Sequence, residues 1–98
     1  MVRWTVIGRW TPEKYPDIGR RFVVFAKGQA PPEVLAASQK IKDIVWEFPS
    51  YYGQPLSVWV GEGEEADIST FLRYWMDLMT FEIYPSVPLE TMKKLLPP

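Results

Sequence analysis

The sequence predicts an α+β domain in which helices cover one face of a four-stranded antiparallel sheet. Three observations predict this fold class. Four short segments are rich in β-branched and aromatic residues, as strands are, and they span residues 2–9, 40–48, 56–60 and 81–84. Two segments between them space their apolar residues at helical intervals. The chain has 98 residues, the size of one small domain, so we expect residues 1–98 to form a single domain.

The first predicted strand, residues 2–9, alternates between two kinds of side chain. Successive side chains of a strand point to opposite faces of a sheet. One face of this strand therefore carries Val2, Trp4 and Val6, and the other carries Arg3, Thr5, Ile7 and Arg9. The first set suits a core, and the second set is mixed.

A helix is predicted over residues 16–27 by the spacing of four apolar side chains: Ile18, Phe22, Phe25 and Ala26. Gly28 suits the left-handed position that commonly follows a helix end. Gly19 inside the helix costs up to about 1 kcal/mol relative to alanine, and a close packing contact would explain its presence. Prolines then predict a short helical turn over residues 31–37.

The strands at 40–48 and 56–60 form a predicted hairpin, because a loop of turn-forming residues separates them. The loop holds Tyr51 and Tyr52. These two aromatic side chains either pack on their own domain or form a lip beside a ligand.

The second half of the chain predicts a helix, a strand and a further helix. The acidic residues before position 67 suit the N-terminus of a helix over residues 67–79. The strand at 81–84 ends at Pro85. A short C-terminal helix is predicted by apolar residues at helical spacing, namely Leu89, Met92, Leu95 and Leu96.

The predicted order is therefore β-α-β-β-α-β with a helical tail. Two right-handed βαβ units in this order give a four-stranded antiparallel sheet with both helices on one face, which is the ferredoxin-like arrangement. Its strand order is 4-1-3-2, so the first strand lies between the fourth and the third.

One face of such a sheet is covered by helices and the other is bare. Regular alternation assigns an apolar set to the covered face: Val2, Trp4, Val6, Ile44, Trp46, Phe48, Leu56, Val58, Val60, Phe81 and Ile83. The bare face receives Arg3, Thr5, Ile7, Arg9, Asp43, Val45, Glu47, Ser57, Trp59, Glu82 and Tyr84. An exposed apolar patch of this kind usually marks an interface. We therefore expect a homodimer through the open sheet face, in which two sheets form a dimeric α+β barrel.

A family resemblance points the same way. The segment from Trp75 to Pro85 resembles the C-terminal signature of a small prokaryotic family of unknown function, in which Trp-x-Asp-Leu ends a helix and Phe-Glu-x-x-Pro-Val forms a strand. Ser86 departs from the pattern, since the family has valine there. The resemblance covers residues 20–88 and implies a dimeric α+β barrel. It brings no catalytic residues and no cofactor.

Composition excludes several activities of this topology. The chain has no His, Cys or Asn, which removes phosphohistidine transfer, asparagine-dependent phosphatase chemistry, His-ligated haem and Cys-ligated metal. A net charge of −1 argues against a nucleic-acid partner. No apolar run is long enough for a membrane span, and the N-terminus lacks a signal-peptide pattern, so a cytoplasmic location is expected. No metal site is predicted, because the acidic residues at 62–67 match no calcium loop.

The candidate site is the polar part of the open face: Arg3, Arg9, Glu47, Trp59, Glu82 and Tyr84. These residues either bind a small ligand between the two sheets or form ion pairs across a dimer interface. No residue is assigned as catalytic. The alternative function is a cofactor-independent monooxygenase or isomerase acting on a small aromatic or polar substrate, in which Arg9, Trp59 and Tyr84 surround Glu82 as a base.

Overall fold

The computed structural model describes residues 2–49 and 55–97, and the predicted pair Tyr51 and Tyr52 lies outside these residues. The chain is an α+β domain with a four-stranded antiparallel sheet and four α-helices in its described part. The strands are β1 (Val2–Arg9), β2 (Lys42–Glu47), β3 (Leu56–Gly63) and β4 (Thr80–Ser86). The helices are α1 (Tyr15–Ala26), α2 (Pro32–Gln39), α3 (Glu65–Arg73) and α4 (Leu89–Leu95), and a 3₁₀ turn at Pro12–Lys14 precedes α1.

The strands lie in the order β2-β3-β1-β4, and every neighbouring pair is antiparallel. The central strand β1 pairs Val6 with Trp59 on β3 and with Ile83 on β4. This sheet is compatible with a ferredoxin-like fold. The edges of the sheet are β2 and β4.

The core lies between one face of the sheet and helices α1, α2 and α3. It joins Val6 and Trp59 of the sheet to Ile18 of α1, Val34 of α2 and Ile68 of α3. We call this side of the sheet the helix face. The opposite side, which we call the open face, has no buried side chain among the described residues.

The end of α1 shows the predicted left-handed glycine. Gly28 has a φ of +72°. Its N–H donates to the Phe25 carbonyl at 2.9 Å, and the Gln29 N–H donates to the Val24 carbonyl at 3.0 Å. These two bonds complete a Schellman motif, which satisfies carbonyls that the helix end would leave free.

The packing contact offered above as an explanation for Gly19 is absent from the structure. No atom lies within 4 Å of the position that a Cβ would occupy there. Gly19 therefore faces open space on α1, beside a groove of about 290 Å³ that Trp10, Tyr15 and Phe22 also line.

The two largest boundary differences from the prediction are at the ends of β3 and α3. Strand β3 continues to Gly63, because Glu62 pairs with Arg3 and Gly63 pairs with Val2 on β1. Helix α3 ends at Arg73 instead of residue 79. The chain continues beyond it in turns, with the Trp75 N–H donating to the Leu72 carbonyl at 3.0 Å.

The predicted faces of β3 were wrong. Ser57 and Trp59 lie on the helix face and are 6% and 4% exposed, whereas Leu56, Val58 and Val60 lie on the open face. Trp59 can lie on the helix face because the neighbouring residue on that face, Gly61, has no side chain. A Cβ on Gly61 would lie 2.6 Å from Trp59 Cζ2, so glycine at that position makes room for the indole ring on the helix face.

The predicted face of Asp43 was also wrong. The pairing of β2 with β3 is irregular between Asp43 and Val45, so Ile44 is an extra residue that forms a bulge. Asp43 pairs with Gly61 on the helix face, and its Oδ1 accepts a hydrogen bond from Trp59 Nε1 at 2.7 Å. The bulge leaves Lys42 and Glu47 together on the open face, although five positions separate them.

Candidate functional site

The strand pairing arranges the residues of the open face in four rows that run across the sheet. Its residues are Lys42, Glu62, Arg3 and Ser86 in the first row, Val45, Val60, Thr5 and Tyr84 in the second, Glu47, Val58, Ile7 and Glu82 in the third, and Leu56, Arg9 and Thr80 in the fourth. The two middle rows hold four aliphatic residues, Val45, Val60, Val58 and Ile7, and the third row ends in Glu47 and Glu82 at the two sheet edges. Charged residues lie around this apolar band.

Three of the predicted site residues meet at one corner of the open face. Arg9 on β1 forms an ion pair with Glu82 on the neighbouring strand β4. The Tyr84 hydroxyl donates to Glu82 Oε2 at 2.9 Å, and this hydrogen bond raises the pKa of Tyr84. The Glu82 carboxylate thus accepts from two donors, which is the arrangement of an ion-pair partner and not of a free base.

The Arg9–Glu82 pair is half exposed, with 53% and 45% of the two side chains accessible. Water screens such a pair, so its contribution to the stability of a single copy is small. Covering the pair with a second surface would add a desolvation cost, and the loss of either partner there would leave an uncompensated buried charge.

Arg3 lies at the other end of the face. Its Nη2 is 3.8 Å from Glu62 Oε1 across the β1–β3 pair, and both side chains are about one-quarter exposed. Arg9 is six positions after Arg3 on β1, which corresponds to about 20 Å. The two arginines therefore lie in different parts of the face. The sequence analysis did not identify Glu62 as the partner of Arg3.

Glu47 and Trp59 do not join the corner formed by Arg9, Glu82 and Tyr84. Glu47 lies on edge strand β2 opposite Val58, with β3 between it and β1. Trp59 lies on the helix face, where it lines a small apolar cavity of about 30 Å³ with Ser57 and Met79. That volume is room for about one water molecule.

The four residues of the enzymatic alternative are therefore not assembled in one cavity. Arg9 lines a separate groove of about 330 Å³ with Trp10, Lys14 and Thr80 at the end of the sheet. Trp59 faces the opposite side of the sheet from Tyr84. A substrate at the Arg9–Glu82 pair would not contact the indole ring.

One sequence signal for the true faces was present. Gly61 and Gly63 lie on the same face of β3 as Trp59, and Gly8 lies on that face of the sheet as well. A Cβ on Gly8 would lie 2.7 Å from both Met79 Cε and Ser57 Oγ. Small residues beside a tryptophan mark the side where the large ring is packed.

The described residues contain no group of three or more carboxylates placed to hold a metal ion. Over residues 2–49 and 55–97, no helix has the length and apolar character needed to cross a membrane. No family model matches the chain, and no curated protein or solved structure matches it either.

Proposed function

We propose that this chain is a homodimeric binding domain whose two copies meet through their open faces, as ferredoxin-like subunits of a dimeric α+β barrel. One observation carries the proposal. An apolar band crosses the middle of the open face, and none of the described helices covers it. The band consists of Ile7, Val45, Leu56, Val58 and Val60. A contiguous apolar patch rimmed by polar residues is typical of an interaction site.

The charges around the band support a second copy as the partner. The face carries three cations and three anions: Arg3, Arg9, Lys42, Glu47, Glu62 and Glu82. A two-fold interface brings the same surface together from both copies, so the surface has to complement itself. A face with balanced charge avoids the repulsion that a strongly charged face would meet in its own copy.

The test is the oligomeric state in solution. Sedimentation velocity across micromolar concentrations should give a species of twice the 11.4 kDa chain mass. Val58→Glu, in the centre of the band, should shift the protein to monomer while its circular dichroism stays that of the folded chain. Val23→Glu is the matched control, because Val23 is a 49% exposed valine on α1, away from the open face. A monomeric wild type would refute the proposal.

A ligand at the rim of this interface is the second candidate function. Arg9 lines the 330 Å³ groove with Lys14, and two cations near an indole ring favour a small carboxylate or phosphate ligand. Asp77 lines the same groove, so the ligand would also meet one anion. Titration with benzoate and with inorganic phosphate should change tryptophan fluorescence through Trp10. The change should be lost in Arg9→Ala and kept in Arg3→Ala; equal responses in both variants would refute this site.

A further inference from the structure

Every residue of the C-terminal helix α4 is exposed. None of its residues is buried. Leu89, Met92 and Leu95 are 63%, 46% and 70% exposed, and Leu96 just beyond the helix is 59% exposed. An isolated helix of seven residues is unstable in water, so α4 needs a surface to pack against.

The shape of the molecule agrees with a projecting arm. The radius of gyration is 14.9 Å. A compact chain of this length has a radius of gyration of about 12.6 Å. The longest dimension is 50 Å and the shortest is 18 Å. A flat domain with a terminal helix outside its core has these proportions.

A groove of about 550 Å³ lies where α4 leaves the sheet. Its apolar wall is formed by Val2 and Val87, which are 46% and 50% exposed, and by Pro85. Glu62 and Arg3, which lie 3.8 Å apart, also line the groove. The groove is at the first-row end of the open face, so it is continuous with the interface proposed above.

Charge around the groove complements the charge of α4. Glu64 and Glu65 do not line the groove, but they directly follow Gly63, which pairs with Val2 of its apolar wall. Both are exposed and form no ion pair with a described residue. Lys93 and Lys94 on α4 are likewise exposed and form none. An apolar stripe beside lysines therefore fits an apolar groove beside glutamates.

A chain cannot fill this groove with its own apolar stripe. Pro88 and Thr91, at the start of α4, already line the groove. The helix is about 10 Å long, and a straight helix cannot return its last turn to the place where it begins. Leu95 and Leu96 of the same chain do not line the groove.

The area of the open face is too small to account for a stable dimer without further contacts. Four strands about 4.8 Å apart and about seven residues long give a face of roughly 450 Å². Two such faces bury about 900 Å², which is less than the roughly 1,200 Å² of most stable interfaces. Helices exchanged between copies would supply the remainder.

We infer that α4 is an exchange arm. Helix α4 of each copy extends toward the second copy and places its last turn, with Leu95 and Leu96, in that copy's groove beside Val2. Lys93 and Lys94 then lie against Glu64 and Glu65 of the second copy. This inference rests on the proposed homodimer and names the element that completes it.

A charge exchange between two variants tests the arm. Lys93→Glu/Lys94→Glu and Glu64→Lys/Glu65→Lys should each dimerise about tenfold more weakly than the wild type, because each homodimer opposes like charges twice. Mixing the two variants should restore the dimer, because both arm contacts then join opposite charges. Any change in folding within one chain is the same alone and in the mixture. Lys14→Glu/Lys27→Glu is the control with the same charge change away from the groove.

Covalent trapping gives an independent readout, because the chain has no cysteine. A mixture of Val2→Cys and Leu95→Cys chains should form an interchain disulfide under mild oxidation. A Val2→Cys/Leu95→Cys chain that closes on itself would show that the arm folds back, and this would overturn the inference.

The outcomes separate the two proposals. A monomeric wild type overturns the homodimer and the arm with it. A dimer that Val58→Glu dissociates, but that neither charge variant weakens and that forms no trapped disulfide, overturns the arm alone. Restoration by mixing together with the trapped species supports both.

Discussion

Replacing Gly19 with alanine is expected to stabilise the protein. Gly19 is the fifth residue of α1, inside a helix of 12 residues. Glycine in a helix interior loses more backbone entropy on folding than alanine does. The added methyl group would meet no atom within 4 Å, so no steric cost opposes the gain.

The magnitude follows from the helix propensities. Alanine is favoured over glycine in a helix interior by about 0.5–1 kcal/mol. A domain of this length unfolds with an entropy near 2.1 cal/mol/K per residue, so 1 kcal/mol corresponds to about 5 °C in Tm. We expect Gly19→Ala to raise the Tm by about 2–5 °C.

Gly28→Ala is the matched control for this prediction. A Cβ on Gly28 also has no atom within 4 Å, but its φ of +72° is unfavourable for alanine. The left-handed conformation costs a residue with a Cβ about 1–2 kcal/mol. The same chemical change should therefore lower the Tm at Gly28 by about 5 °C or more and raise it at Gly19.

Thermal unfolding followed by circular dichroism at several protein concentrations measures both changes. A neutral or destabilising Gly19→Ala would refute the reasoning, because it would mean that a surface packs against Gly19. If that loss grew with protein concentration, the surface would belong to a second copy. A stabilising Gly28→Ala would contradict the left-handed assignment.

Three further predictions concern hydrogen bonds. Asp43→Ala leaves the buried indole N–H of Trp59 without its acceptor, so urea unfolding should show a loss of about 1–3 kcal/mol; a loss below about 0.5 kcal/mol would contradict this role. Arg21 donates a hydrogen bond to Asp77 and lowers the pKa of that carboxyl group. The free energy of unfolding of the wild type should therefore exceed that of Asp77→Asn at neutral pH, and this difference should disappear as the pH falls below 3.8. The pKa of Tyr84 is raised, so the free energy of unfolding of the wild type should exceed that of Tyr84→Phe by a smaller amount at neutral pH, and this difference should disappear as the pH rises above 10.0. A difference that persists at the acidic extreme for Asp77→Asn, or at the alkaline extreme for Tyr84→Phe, would refute that assignment.

The parts of the fold that depend on local sequence were predictable. Strand β1 alternates cleanly, and its bounds Val2–Arg9 match the prediction. Gly28 ends α1 as expected, since a left-handed cap depends only on the few residues around it. Helix α4 was also predicted by its apolar spacing.

The candidate site was only partly predictable, because faces depend on packing across strands. The sequence pattern assigned three aliphatic residues of β3 to the covered face, namely Leu56, Val58 and Val60, and this placed Trp59 on the bare face. The structure instead buries Trp59, which has a glycine beside it and Asp43 as its acceptor. A bulge of one residue in β2 decides the position of that acceptor, and no local pattern in the sequence marks the bulge.

The two edges of the sheet determine whether another chain can add to it as a strand. A regular edge strand offers a row of unpaired N–H and C=O groups on which another chain can add, which is a route to aggregation. Edge strand β2 is interrupted by the bulge at Ile44, and edge strand β4 contains Pro85, which has no N–H to offer. Both edges therefore resist strand addition into open-ended fibres. In the homodimer proposed above, a two-fold contact through the open face closes on itself and stops at two copies.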